Sequence, residues 1–137
     1  MIFNNGQGRG YSSIDIVNPT TDINGDYILT NSVFGPSNAG WTYTAQNPTD
    51  FYSSYISGAQ RLPNGNTLIC DGAHGTFFEI DSTDTQIWKY INPVVNNGPL
   101  VQGDPIPVTP NGWGNPTFRC TRYSPNFPAF AGRNLSP

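Results

Sequence analysis

Apolar and polar positions alternate at period two in short runs along this chain, and the runs end at Gly, Pro or Asn. That pattern predicts strands joined by tight turns and no helix longer than about two turns. Residues 57 to 93 spell one four-stranded antiparallel unit, SGAQRLPNGNTLICDGAHGTFFEIDSTDTQIWKYINP. A polar-apolar run over 57–62 meets the turn Pro63-Asn64-Gly65-Asn66, where the Asn-Gly pair predicts a hairpin with Gly65 at positive φ. An apolar strand over 67–70 follows, then a small-residue turn over 71–75, a third strand over 76–80, a turn over 82–85, and a fourth strand carrying Ile87, Trp88, Tyr90 and Ile91.

Part of this unit is written a second time upstream. Ile2-Phe3-Asn4-Asn5-Gly6 opens it, Ser13-Ile14-Asp15-Ile16 answers Phe77-Phe78-Glu79-Ile80, and Trp41-Thr42-Tyr43 answers Trp88-Lys89-Tyr90. The two tryptophans stand 47 positions apart. A strand-only repeat of ~40–50 residues is the signature of propeller blades, which cannot bury their faces singly. The expected fold is all-β, a partial β-propeller of about two to three four-stranded antiparallel blades. Residues 1–48 supply the outer strands of one blade, interrupted by a polar insertion over 18–40. Residues 49–93 form a complete blade, 94–116 a long loop without periodicity, and 117–137 the innermost strand of the next blade (117–123) followed by a tail. About three blades fall short of the ~4–8 that close a ring, and the chain starts inside an apolar strand. The expectation is therefore a piece of a longer protein, or a chain that completes its ring with further copies of itself.

Composition narrows the function classes. Aromatics make up 13% against 11% charged residues, and the 15 glycines and 13 prolines suit turns rather than helices. The regular apolar strands argue against disorder. A net charge of −3 without a Lys/Arg run argues against nucleic acid or an anionic membrane as partner. No run approaches the ~18 apolar residues of a membrane span. The first residues carry no recognisable secretory signal, which under a fragment reading says nothing of the compartment. Cys70 and Cys120 fit no metal spacing. In the blade reading they lie on neighbouring strands, so a disulfide stands beside the alternative of two buried thiols. Asp22-Ile23-Asn24-Gly25-Asp26 resembles part of a calcium loop but lacks the distal Glu, and a plain turn is the competing reading.

The ordered blocks FNNGQGRG, SSIDIVNP, WTYTAQNPTDFYSSYISGAQRLPNGNTLICDGAHGTFFEI, IWKYINPV and FRCTRYSPNFPAFAGRNLSP resemble the C-terminal blades of bacterial aryl-sulfate sulfotransferase-like β-propellers. The resemblance covers nearly the whole chain. It implies a six-bladed parent, periplasmic or secreted, that moves a sulfuryl group between phenols through a sulfated histidine without a separate cofactor. An aryl sulfate or phenol would then be the ligand. Relatives carry a Gln-His-Asp-x-His block on the strand before FNNG. Here the chain begins after that position, and its one histidine is His74. The chain alone is expected to show little or no transfer.

Sulfuryl transfer needs a neutral imidazole as nucleophile and donors around the sulfonate oxygens. His74 is expected on the face around the channel mouth, with Tyr52, Ser54, Tyr55, Ser57 and Arg119 approaching it. Gly72 and Gly75 are expected to leave the amides beside it accessible. Three roles stand open for His74: exposed turn residue, substrate contact, or nucleophile. Arg119 and Arg122 are three apart and so take opposite strand faces. Arg119 either serves the site or pairs with a carboxylate such as Asp71 or Glu79. Asp15 and Glu79 are expected at equivalent third-strand positions, as a repeated blade contact rather than an acid/base pair. Trp41 and Trp88 are expected to pack between blades. A non-catalytic module for binding or assembly outside the cell is the alternative function.

Overall fold

The apolar alternation becomes strand wherever a neighbour completes the ladder. In the computed structural model, which describes residues 1–110 and 112–136, β1 (Ile2–Asn4), β2 (Ser13–Ile16), β3 (Leu29–Thr30), β4 (Val33–Phe34) and β5 (Trp41–Tyr43) come first. Strands β1, β2 and β5 form a three-stranded antiparallel sheet in that order. Next come β6 (Gly58–Arg61), β7 (Thr67–Asp71), β8 (Thr76–Ile80) and β9 (Gln86–Ile91), which form a four-stranded antiparallel meander. The chain is all-β with several antiparallel sheets, none closed on itself. Gly65 has φ +88° in the β6–β7 turn, where Leu62 N–H donates to Asn66 O at 2.8 Å.

The two sheets pack face to face. Ile14, Phe51, Ile69, Phe78 and Ile80 form the buried cluster, flanked by Phe3, Trp41, Tyr43, Ala45 and Ala59. Phe51 is the hinge of this core. Its ring lies 5.6 Å from Phe3, 5.9 Å from Tyr43 and 5.5 Å from Phe78, with edge-to-face geometry at Phe3 and Phe78. Such ring pairs add about 0.5–1.5 kcal/mol each beyond area burial. Polar ties accompany the apolar ones. Buried Ser12 accepts from Ser53 N–H at 2.9 Å, and Asn5 Nδ2 donates to Ser53 O at 2.7 Å. These bonds fasten the first sheet to the segment leading into β6.

Pairing register corrects one expected equivalence. Ile14 faces Tyr43 and Ile16 faces Trp41, whereas Phe77 faces Tyr90 and Glu79 faces Trp88. Glu79 therefore answers Ile16, not Asp15. A β-bulge leaves Ile87 unpaired between Glu79–Trp88 and Ile80–Gln86. Register, set by ladder partners, decides which face a residue takes.

Two further segments depart from expectation, and a third gains detail. In the insertion over 18–40, β3 and β4 pair as a small hairpin and Thr21 bridges Tyr27. Within it, Asp22 Oδ1 accepts from Asn24 N–H at 2.8 Å and Asp26 N–H at 3.0 Å, an Asx-type turn. The loop over 94–116 folds into two hairpins, β10 (Val94–Val95) with β11 (Gly98–Pro99) and β12 (Val108–Thr109) with β13 (Gly112–Trp113). Residues 117–123 do not form a strand. Their bonds go elsewhere: Thr117 N–H donates to Gly72 O at 2.8 Å, and Arg122 N–H and O pair with the Gln60 side-chain amide at 2.9 Å each. They meet β6 through the Gln60 side chain rather than through backbone pairs, so no ladder forms. Beyond it, Tyr123, Phe127 and Phe130 make a small aromatic cluster, with Tyr123 and Phe127 ring centroids 4.7 Å apart. Among the described residues no helix is long and apolar enough to cross a membrane.

Candidate functional site

The turn between β7 and β8 carries the histidine. Asp71 ends β7, and His74 stands three residues on, across a turn closed by Gly75 N–H donating to Gly72 O at 3.2 Å. The turn lies tightly under residues 115–117. A Cβ on Gly72 would come within 2.5 Å of Thr117 O, and one on Gly75, which has φ +54°, within 2.1 Å of Asn115 O. Only glycine permits that approach.

The fixed turn brings His74 Nδ1 to 2.8 Å from both Asp71 carboxylate oxygens. The hydrogen bond to Asp71 raises the His74 pKa above its ordinary value, against the opposing effect of burial, and the Asp71 charge adds to the rise. Nδ1 thus carries a proton, and Nε2 remains for other contacts. The Trp113 ring stands edge-on to the imidazole at 5.6 Å. Together they wall a cleft of about 580 Å³ between the two sheets, which Tyr43, Tyr52, Phe78 and Lys89 also line. The cleft is amphipathic: aromatic walls, the His74–Asp71 pair, Lys89 and the carboxylate of Asp50.

Comparisons of the chain with family models, curated proteins and solved structures find no match. The site's meaning therefore rests on its own chemistry and on the sequence resemblance.

Of the residues singled out in the sequence, the structure brings Tyr52 to His74 and separates the rest. Ser57 and Arg119 line a second groove of about 510 Å³ with Met1, Phe3, Gln60 and Cys120. Tyr55 is exposed and lines neither. Arg119 lies over Phe118 at 5.7 Å and, among the described residues, has no carboxylate partner. The expected carboxylate partners are used otherwise: Asp71 holds His74, and buried Glu79 pairs with Arg122. Asn66 Nδ2 donates to Glu79 at 2.6 Å, and this bond first, then Arg122, holds the Glu79 carboxyl below its usual range.

The amides beside His74 are not free, contrary to expectation. Gly72 N–H donates to Ser57 Oγ at 2.9 Å, Ala73 N–H to Ser53 Oγ at 3.0 Å, and Ser57 Oγ donates to Ser53 Oγ at 2.8 Å. Ser57 is thus a structural tie for the turn. It sits in the left-handed region at φ +86°, after Ile56 at φ +48°. A β-branched residue there costs on the order of 1–3 kcal/mol, and Asn5 Nδ2, donating to Ile56 O at 3.1 Å, helps to hold it.

Asp71, Lys89 and Trp113 are among the members of the site that sequence reasoning did not assign to it. The Asp-x-x-His spacing across a tight turn was a legible signal for Asp71. Strand alternation was one for Lys89, which points away from Trp88 and Tyr90. Trp113 lies in an aperiodic stretch, and nothing there marked it.

Cys70 and Cys120 are both free thiols, so the disulfide is not formed here. The Cys70 thiol donates to Thr117 O at 3.7 Å.

Proposed function

We propose that the chain forms successive blades of an aryl-sulfotransferase-like β-propeller, and that the cleft at His74 takes an aryl sulfate or the phenol derived from it. The supporting observation is the His74–Asp71 pair set beside Trp113 on a cleft wall. An aromatic ring would lie against Trp113 and Tyr52, where ring–ring contact adds about 0.5–1.5 kcal/mol. His74 Nε2 and Lys89 would face the sulfuryl oxygens. Asp50 on the same cleft disfavours a dianion, so a sulfate monoester fits better than a phosphate monoester. Below its raised pKa His74 is a cation that attracts the sulfate. Above it, Nε2 has the lone pair that a nucleophile requires. Were His74 the nucleophile, that lone pair would bond to sulfur while the aryl oxygen leaves with the electron pair as phenolate. In this chain the amide donors beside His74 are already engaged and the cleft is open, so binding without sustained turnover is expected. The same resemblance carries the proposal of a periplasmic or secreted location.

Calorimetric titration with 4-nitrophenyl sulfate tests this reading. Saturable binding is expected, stronger near about pH 6 than near about pH 8, and weakened roughly tenfold by Trp113→Ala or His74→Ala. Absence of binding at both pH values would overturn the ligand assignment. Steady release of 4-nitrophenol would overturn the expectation of inactivity.

A second reading, a non-catalytic module that assembles with further copies of itself, is favoured by one observation. The face carrying Trp88 and Tyr90 is open, at 40% and 45% exposure, and among the described residues β1 has no strand partner on its outer edge. Light scattering on the eluting protein decides it: a concentration-independent monomer removes this reading.

A further inference from the structure

The segment over 117–122 carries Arg119 to one groove and Arg122 to Glu79, yet it is held without a strand ladder. Its attachments are Thr117 to Gly72, Phe118 to Ser57, and the Gln60 amide to Arg122. In the middle of that contact stand the two cysteines. Cys70 lies on β7 opposite Gly58, it is fully buried, and its thiol reaches Thr117 O at 3.7 Å. Gly58 has no side chain to intervene, and Arg119 passes over it, with Cγ within 3.5 Å of where a Cβ would stand. Cys120 follows on the wall of the groove that Gly58 also lines, half-buried and three residues beyond the Thr117 carbonyl that the Cys70 thiol reaches. Two thiols carried to the same junction by separate elements are placed to bridge.

We propose that Cys70 and Cys120 are a redox pair that closes to a disulfide in an oxidising compartment and staples the 117–122 segment onto the four-stranded sheet. The two thiols have distinct roles. Cys120 faces a groove and is the sulfur that an oxidant can reach, whereas Cys70 is sealed in the core. The neighbouring Cys70 thiol and the charge of Arg122 lower the Cys120 pKa, while the Cys70 pKa is raised by its neighbour Cys120 and by burial. Cys120 thiolate attacks one sulfur of an oxidising disulfide, such as glutathione disulfide, and displaces the first thiolate. The Cys70 sulfur then attacks Cys120 Sγ in the mixed disulfide and displaces the second. Two protein thiols and one small disulfide become one protein disulfide and two small thiols, and the two thiol protons end on the released thiols. The product fixes Arg119 and Arg122 relative to β6 and β9 by a covalent tie. This inference does not depend on what the His74 cleft binds.

The test uses folded, reduced protein equilibrated with glutathione disulfide under native conditions. The intact mass is expected to fall by two hydrogens, and a non-reducing digest to yield one linked peptide pair containing Cys70 and Cys120. The thermal midpoint should rise by several degrees and return on reduction. Cys120→Ser should abolish the mass change and the shift, and Cys70→Ala should instead leave a stable mixed disulfide on Cys120. If Cys70→Ala fails to fold, blocking Cys120 in the wild-type protein with a thiol alkylator gives the same information, since the linked pair must then be absent. Two free thiols remaining after equilibration of the wild-type protein, or links found only between chains, would overturn the proposal.

Discussion

Trp41 with Tyr43 and Trp88 with Tyr90 are the same device in two settings. Each pair is stacked, at 6.4 Å and 16° in the first and 6.2 Å and 6° in the second. Each tryptophan lies under an arginine from the next segment, Arg61 at 4.7 Å over Trp41 and Arg122 at 5.3 Å over Trp88. The first pair is closed over by the four-stranded sheet and joins the core through the Tyr43–Phe78 contact at 6.3 Å. The second is covered by the 117–122 segment alone and stays open. The local arrangement is thus written into each Trp-x-Tyr strand, whereas burial depends on what lies opposite. The repeated arginine cap also supports reading 117–122 as standing where β6 stands on the first sheet, although it lacks a ladder.

The comparison can be broken first at the closed interface. Phe78→Ala removes the ring shared by Phe51 and Tyr43 and should cost about 3–5 kcal/mol in urea unfolding. A loss under about 1 kcal/mol would mean that the sheets are not held by this core. The tryptophans give the next largest effect. Trp41→Ala should cost about 2–3 kcal/mol, since the ring is only half-buried, and Trp88→Ala less than about 1 kcal/mol in the isolated chain. Equal losses would show that the second face is covered after all.

Arg122→Ala sharpens the comparison at the second cap. It leaves Glu79 buried without its cation and should cost about 1–3 kcal/mol at neutral pH. Glu79 is depressed in the folded state, so its contribution is present above its unfolded pKa, about 4.3, and is lost as pH falls through the folded value. The deficit of Arg122→Ala should therefore shrink in acid, which denaturation at several pH values would show. Arg61→Ala, which removes a cap and the bond from Arg61 to Gly65 O at 2.9 Å, should cost less, about 0.5–1 kcal/mol, without that acid dependence.

The smallest effect is at the turn. His74 has a raised folded pKa, so its pairing with Asp71 stabilises below the unfolded value of about 6.5 and is lost as pH rises through the folded pKa. NMR titration of the imidazole should give a midpoint above about 6.5 that drops on Asp71→Asn. An unchanged midpoint in that variant would remove Asp71 as the cause.

The sequence alone determined the elements that local chemistry controls. Alternation placed β6 through β9 to within a residue or so, and Asn64-Gly65 marked a turn that needs positive φ. The Trp-x-Tyr spacing marked two stacked ring pairs, because strand periodicity sends both rings to one face whatever surrounds them. Tertiary structure alone decided the rest. Register moved Glu79 opposite Trp88, since a bulge changes the count of paired residues without changing the pattern of residue types. Residues 117–123 carry a strand-like sequence but form no strand, because a ladder needs partners that sequence alternation cannot supply. The loop over 94–116 had no periodicity, so Trp113 reached His74 unannounced. The expected gathering of Tyr52, Ser57 and Arg119 around His74 separated into two grooves, because serine hydroxyls consumed the turn amides and Asp71 captured the imidazole. Hydrogen-bond partners are chosen by three-dimensional proximity, and that choice is not encoded in spacing along the chain.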